Sequence, residues 1–513
     1  MKKLNAILIL LILPIFIVSQ KHLLTEANEL FNMGNYMNAK VKYRLYLTEK
    51  PDHKDALKQI GLCYLLSNYD KSRAIRYFEQ CLEIKKPDKE IWFYLADAYI
   101  HKMDFEKALI ALENYSKKPG KFKKEIPAIR NQINVSINMI KNPVSVKFEN
   151  LGKYVNSDFP DYYPFIDKNE KILVFTSKRP KNKGYVFIDG FYPSDVYTSR
   201  FNGFTFGKSK NAKSLNSNYS DECVGIQDDG KYIFTIINNY NASERGNIFK
   251  SKRKGSTYKR KEKIVSSMNS PKYYESSGTI AHEQDLIFFS SNRPEGKGGF
   301  DLYIIQKLPN GEWSEPKSIE AINTELDEEY PYYNTSDSCL YFSSNGLPGM
   351  GGYDLYKTKW NPLTKTWKPP KNLGYPINSS YDNKTICFSD KNDHAYISTV
   401  RKGGFGNYDI YRLTFPEHEI KPALFRIQIL DEETLSKIDS VEIQILNDKN
   451  IIIGKYKPNE NTGIFSVILD PGHYQIKIKA VNYITLHKKL NVSEFAADKE
   501  LIKLTYKLPK PAP

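Results

Sequence analysis

Cysteine is scarce in this sequence, and what there is shows no pattern: Cys63, Cys81, Cys223, Cys339 and Cys387 include no Cys-x-x-Cys pair. An odd, scattered set excludes a disulfide framework and a zinc ribbon. The thiols read as small buried hydrophobes, with a Cys63–Cys81 bridge the one pairing left open. Histidine is equally thin, and none of the eight stands at metal-ligand spacing from another. His282-Glu283 begins like a zinc-protease helix but no second histidine follows. No Gly-x-Ser-x-Gly elbow occurs, and the glycine clusters 296–299 and 349–352 lack the Lys-Ser/Thr that a phosphate loop needs. The carboxylate run Asp327-Glu328-Glu329 reads as a solvated turn leading into a strand. These absences predict a protein that is not an enzyme and holds no metal or cofactor.

Long apolar runs are missing after residue 20, so no segment reaches the ~20 residues that a transmembrane helix needs. The one short run, Ala6 to Val18, follows Lys2 and Lys3 and precedes Ser19 and Gln20, which predicts a secretory signal peptide over 1–20. No cysteine stands near it to accept a lipid anchor. The expected product is exported to a periplasm, associated with an outer membrane at most. Acidic residues are also in the minority: 59 against 75 basic ones leave a net charge of +16. That charge calls for an anionic partner. Export turns the expectation from nucleic acid toward peptidoglycan, an anionic polysaccharide or an acidic protein face.

What the sequence does have is tyrosine, 37 residues of it, and three segments with three different periods. Over 22–141 the pattern is helical. Ala39, Ala74 and Ala108 lie 35 and 34 residues apart, each followed four residues later by a large apolar residue, Tyr43, Phe78 or Leu112. A period near 34 with a small residue where two helices cross is the mark of tetratricopeptide repeats. Pro51 and Pro87 fall between helix pairs, and 127–140 supplies a capping helix.

Over 144–416 short aromatic and β-branched strands alternate with Gly, Asn, Asp and Pro clusters. Five units align on Asn156, Asn216, Asn269, Asn323 and Asn378, spaced 60, 53, 54 and 55 residues apart. Four of them close on an Asp-[Val/Leu/Ile]-Tyr triplet that begins at Asp195, Asp301, Asp354 and Asp409; the second has Asn247 there. Such a period, with about four strands per unit, predicts a β-propeller of five blades, or six if the ends share one. The repeated aspartate is expected to hold turn amides rather than do chemistry. A basic run, Lys252, Arg253, Lys254, Lys259, Arg260 and Lys261, is the candidate contact for an anionic partner.

Over 420–508 apolar and polar residues alternate between turn signals, which predicts a small antiparallel β-sandwich. The Pro-rich tail after it is expected to be disordered.

The first segment resembles tetratricopeptide repeats, and the second resembles TolB-like and WD-repeat-like propellers. The third resembles the carboxypeptidase regulatory-like domain through Thr462, Gly463, Phe465, Pro471, Gly472 and Tyr474, departing at Asn482-Tyr483 where that pattern has Gly-Tyr. In this order the parts are similar to PorE-type envelope proteins of the Bacteroidota. The resemblance implies a scaffold or adaptor that binds envelope proteins, linked to type IX secretion or gliding. Those relatives carry a C-terminal OmpA-like domain that grips peptidoglycan, and no residue here matches it. The alternative is a glycan- or peptide-binding sensor that uses the propeller face.

Overall fold

The computed structural model describes residues 22–202, 205–227, 229–238, 246–255, 257–264, 267–281, 285–390, 392–415, 422–448, 450–470, 472–492 and 501–511. Residues 1–20, where a signal peptide is expected, and His282 and Pro471 lie outside these residues. The chain divides into two compact units, Met1–Phe415 and Pro416–Pro513. The helical segment and the sheets after it thus share one unit, where the sequence reading had set a boundary near residue 142.

The helices are α1 (22–32), α2 (Tyr36–Glu49), α3 (Lys54–Leu66), α4 (Ile75–Glu83), α5 (Glu90–Lys102), α6 (Phe105–Lys117) and α7 (Ile126–Lys141). Side chains suited to the task start three of them. Asn35 Oδ1, His53 Nδ1 and Asp104 Oδ1 accept the backbone N–H of Asn38, Ala56 and Lys107, which the first turn otherwise leaves unpaired. From α2 on, each helix packs on the next. The spaced alanines, Ala39, Ala74 and Ala108, are fully buried. Gly61 faces Phe78 so closely that a Cβ would stand 2.4 Å from its ring. Only glycine admits that ring between α3 and α4.

After α7 the chain builds five antiparallel sheets. The first is Asp161–Ile166, Ile172–Ser177, Asp195–Arg200 and Lys210–Asn211; the second is Asp221–Ile226, Tyr232–Ile237, Ile248–Lys254 and Glu262–Lys263. The third is Glu275–Ala281, Leu286–Ser291, Asp301–Gln306 and Lys317–Ser318; the fourth is Glu328–Asn334, Cys339–Ser344, Asp354–Asn361 and Lys371–Asn372. The fifth has only Ile386–Phe388, His394–Thr399 and Asp409–Thr414 from its own stretch. Its outer strand is Lys147–Asn150, which pairs with Asp409–Thr414 from Lys147↔Thr414 to Asn150↔Tyr411. The first strand of each sheet touches that of the next, and Asp161–Ile166 touches Ile386–Phe388, so the five sheets close a ring.

The helices dock on this ring. The Tyr381 hydroxyl accepts Lys71 N at 3.1 Å and donates to Tyr69 O at 3.5 Å, while Gln132 Nε2 donates to Met350 O at 2.7 Å.

The second unit packs a three-stranded sheet and a four-stranded sheet about Phe425, Ile427, Ile443, Ile445, Ile476 and Ile478. It is not wholly antiparallel, because Ala423–Asp431 and Ile502–Leu508 run parallel, joined through the other sheet. Gly463 adopts φ +65° and donates its N–H to Asn459 O. Asn482 adopts φ +67°, a conformation asparagine tolerates, which explains how it stands in for glycine.

Candidate functional site

The repeated residues of the ring are taken up by its architecture. Each repeated asparagine uses its side-chain amide as a short strand: Asn323 Oδ1 accepts Leu302 N at 2.9 Å and its Nδ2 donates to Leu302 O at 3.0 Å. Asn156, Asn216, Asn269 and Asn378 do the same to Ile410, Val196, Ile248 and Leu355. The bonded residue is the middle one of the Asp-x-Tyr triplet, so one unlike pair of motifs forms a single joint. Asp301 Oδ2 accepts Lys297 N and Gly298 N at 2.9 Å each. Asp195 accepts Lys183 N, Asp354 accepts Met350 N, and Asp409 accepts Phe405 N. Tyr197, Tyr303 and Tyr356 stack on Phe175, Phe289 and Phe342 of the neighbouring strand.

A second repeated group begins four inner strands, as Asp161, Asp221, Glu275 and Glu328, and stands just before the fifth, as Asn383. Four of them accept a backbone N–H four residues upstream, at Ser157, Ser217, Thr324 and Ser379. Arg179, Lys261 and Arg293 neutralise Asp161, Asp221 and Glu275.

The position just after this group is where the sheets part company. It holds Tyr162, Glu222, Ser276, Glu329 and Lys384, and all five line one cavity of about 790 Å³. A cavity of that size suits a drug-sized molecule. Its floor is Tyr163 and Tyr330, from the first and fourth sheets, which are not neighbours in the ring; their rings meet at 4.4 Å. Both sit in bulges, with φ +53° and +51°, and each precedes a proline, so the backbone is held in a conformation costly for tyrosine. Their amides are held by Ser398 Oγ and Ser277 Oγ. Beyond the floor, turns of the first, fourth and fifth sheets are tied together by Lys168 with Thr335 and Asp390 and by Asn334 with Asn392. The ring is therefore a blind cup. Tyr36, Met37 and Leu66–Asn68 of the helical array complete its wall.

Two carboxylates share the rim with different partners. Glu222 is buried and accepts the Tyr162 hydroxyl at 3.1 Å, and burial pushes its carboxyl above the usual range despite Lys178 nearby. Glu329 Oε2 instead pairs with Lys384 Nζ at 3.2 Å, and that ammonium lies 3.9 Å from the Tyr353 ring centroid. Burial also raises the Tyr162, Tyr163 and Tyr330 hydroxyls well above their usual range, which keeps them protonated donors.

Other sequence candidates lie apart from the cup. In the basic run Lys252, Lys254, Lys259 and Arg260 are exposed on the outer hairpin of the second sheet, and Arg253 is half-buried. Lys261 is a correction: it turns inward to Asp221, because a buried carboxylate there needs a cation. The acidic run is a second one. Glu328 and Glu329 are buried rather than solvated, the first capping its strand and the second on the cup rim. Thr462 and Gly463 belong to a turn of the second unit, and Gly472 opens the strand Gly472–Lys479. All five cysteines are buried and free, with no Cys63–Cys81 bond. Among the described residues no cluster suits a metal ion, and no helix is long and apolar enough to cross a membrane. Sequence reasoning missed the cup residues. The available signal was the one variable position beside an otherwise repeated acid.

No family model matches this chain, and no curated protein matches it. Solved structures with some likeness include an α-L-arabinofuranosidase from Lactobacillus brevis, with TM-score 0.33 and 10% identity over 51% of this chain and 91% of that one. An exo-β-1,3-galactanase from Clostridium thermocellum gives 0.32 and 11% over 64% and 81%. An α-L-arabinanase from Penicillium chrysogenum gives 0.31 and 10% over 54% and 99%. Overlap this slight assigns no activity. By its own geometry the chain is a multidomain protein: a helical array docked on a closed ring of sheets, followed by a β-sandwich.

Proposed function

We propose that this is a non-catalytic binding protein of a bacterial envelope whose axial cup takes a hydroxyl-rich ligand, a glycan fragment or a short peptide. The observation that supports it is the contrast within the ring. Five units repeat the same asparagine and an acid or amide at the head of the inner strand, yet carry Tyr, Glu, Ser, Glu and Lys at the next position, which faces the cavity. Framework needs are met by the repeated residues, so the unlike ones are left for recognition. A tyrosine floor offers stacking to a sugar or side-chain face, and the rim offers neutral donors beside one ion pair.

The test is thermal unfolding of the full chain against peptidoglycan fragments and envelope polysaccharides. A ligand at about a hundred times its Kd stabilises by roughly 2.7 kcal/mol. The reading predicts such a shift with at least one fraction and its loss in E222Q/K384A. Absence of any shift, or release of new reducing ends from the polysaccharide, contradicts it.

A second reading is supported by the docking of the helices on the ring, which makes one body of two interaction surfaces. Read as tetratricopeptide-like repeats, a five-bladed propeller and a carboxypeptidase regulatory-like domain, the chain is an adaptor that gathers envelope proteins, within or beside type IX secretion. A deletion strain is then expected to lose export or gliding. Normal secretion in that strain argues against the adaptor.

A further inference from the structure

One connection of the ring is out of proportion. Between second and third strands the other four sheets use 238–247, 292–300, 345–353 and 400–408, but the first sheet uses 178–194. The extra length forms a projecting tip. Phe187 N donates to Phe191 O at 2.8 Å and Gly190 N to Phe187 O at 2.9 Å, which closes a tight turn. Gly190 holds φ +85° and lies so near Asn35 of the helical array that a Cβ would meet its Oδ1 at 2.7 Å, so the base of the tip is pinned. The apex is apolar and open: Tyr185, Val186 and Ile188 are 92%, 50% and 67% exposed. Single exposed apolar residues need no explanation, but three within four residues on a connection of 17 residues, where the other sheets use nine or ten, do.

The charge around the tip has one sign. From Ile172 to Ser220 the sequence has eight basic residues and two acidic ones, Asp189 and Asp195. Asp195 is fully buried, and Asp189 is half-buried with its Oδ1 bound to Phe191 N. Lys181, Lys183 and Lys213 are exposed, and Lys183 Nζ reaches Lys213 O, which brings these lysines to the foot of the tip.

We propose that this tip is a membrane-surface anchor that inserts Tyr185, Val186 and Ile188 at the headgroup boundary of an anionic bilayer while the lysines beside it meet lipid phosphates. A convex apolar apex on a braced turn inserts into a surface; it does not form a groove that receives a peptide. Lysines at its foot match the layer where anionic headgroups lie. The anchor is independent of what the cup binds. Asp189 and Phe191 of the same connection line the cup, so insertion holds the cup beside the bilayer.

Co-sedimentation of the full chain with phosphatidylcholine vesicles, with and without phosphatidylglycerol, tests this. The chain is expected to sediment with the phosphatidylglycerol vesicles only, and less as salt rises. Y185S/V186S/I188S is expected to lower partitioning about tenfold with an unchanged unfolding temperature, and K181E/K213E to lower it on the anionic vesicles. No sedimentation with phosphatidylglycerol, undiminished sedimentation of the triple-serine variant, or loop-dependent capture of a protein without vesicle binding overturns the proposal.

Discussion

Asp354 shows what the ring asks of a single residue. It is almost fully buried, and burial lifts its carboxyl from an ordinary 3.8 to about 7 in spite of the amides of Met350 and Gly351. Between those values the folded chain keeps a proton that the unfolded chain releases, so stability is fully present below the unfolded value. It falls as pH rises through about 7, at up to roughly 1.4 kcal/mol per pH unit. Glu275, also lifted to about 7 by burial, acts in the same direction. D354N cannot titrate, and Asn247 already occupies this position in the second sheet. The variant is expected to lose less stability than the parent between about pH 5 and about pH 8, read as the change in unfolding temperature; an equal loss refutes the assignment. The repeated aspartates were legible in the sequence because they recur. Glu222 and Glu329 were not, since their position varies from unit to unit and has meaning only after the ring sets them beside Tyr162 and Lys384.

At the scale of the element the joint between asparagine and triplet matters most. In N323A the N–H of Leu302 loses its acceptor while its C=O keeps the Ile319 N–H, at a cost of roughly 1–3 kcal/mol. N323D keeps the acceptor alone and is expected to lie between N323A and the parent in urea unfolding; a neutral N323A shows the joint to be incidental. The spacing of these asparagines made the sheets readable, as period and turn residues are local signals. The bulges that raise Tyr163 and Tyr330 into the cup were not readable. A one-residue slip against the neighbouring strand depends on pairing, which sequence pattern does not specify.

For the molecule as a whole the decisive contact joins the two ends of the ring: Lys147–Asn150 supplies the last strand of a sheet whose other strands begin at Ile386. Leu151 N donates to Ile410 O, so by antiparallel alternation the N–H of Glu149 faces Arg412; E149P removes it from the seam and is expected to open the ring, seen as faster proteolysis between residues 144 and 416 with the second unit unaffected. The order of helical segment, strand repeat and sandwich was visible in composition and period. Their grouping was not, because the docking of Tyr381 on Tyr69 and Lys71 joins residues more than 300 apart. That docking turns an open face of the ring into a walled cup, and recognition within it is the central claim. The most direct measurement is a crystal structure of the full chain with whichever glycan or peptide fraction stabilises it. Density touching Glu222, Lys384 and the Tyr163–Tyr330 floor is predicted, and a ligand seated anywhere else with the cup filled only by water contradicts the account.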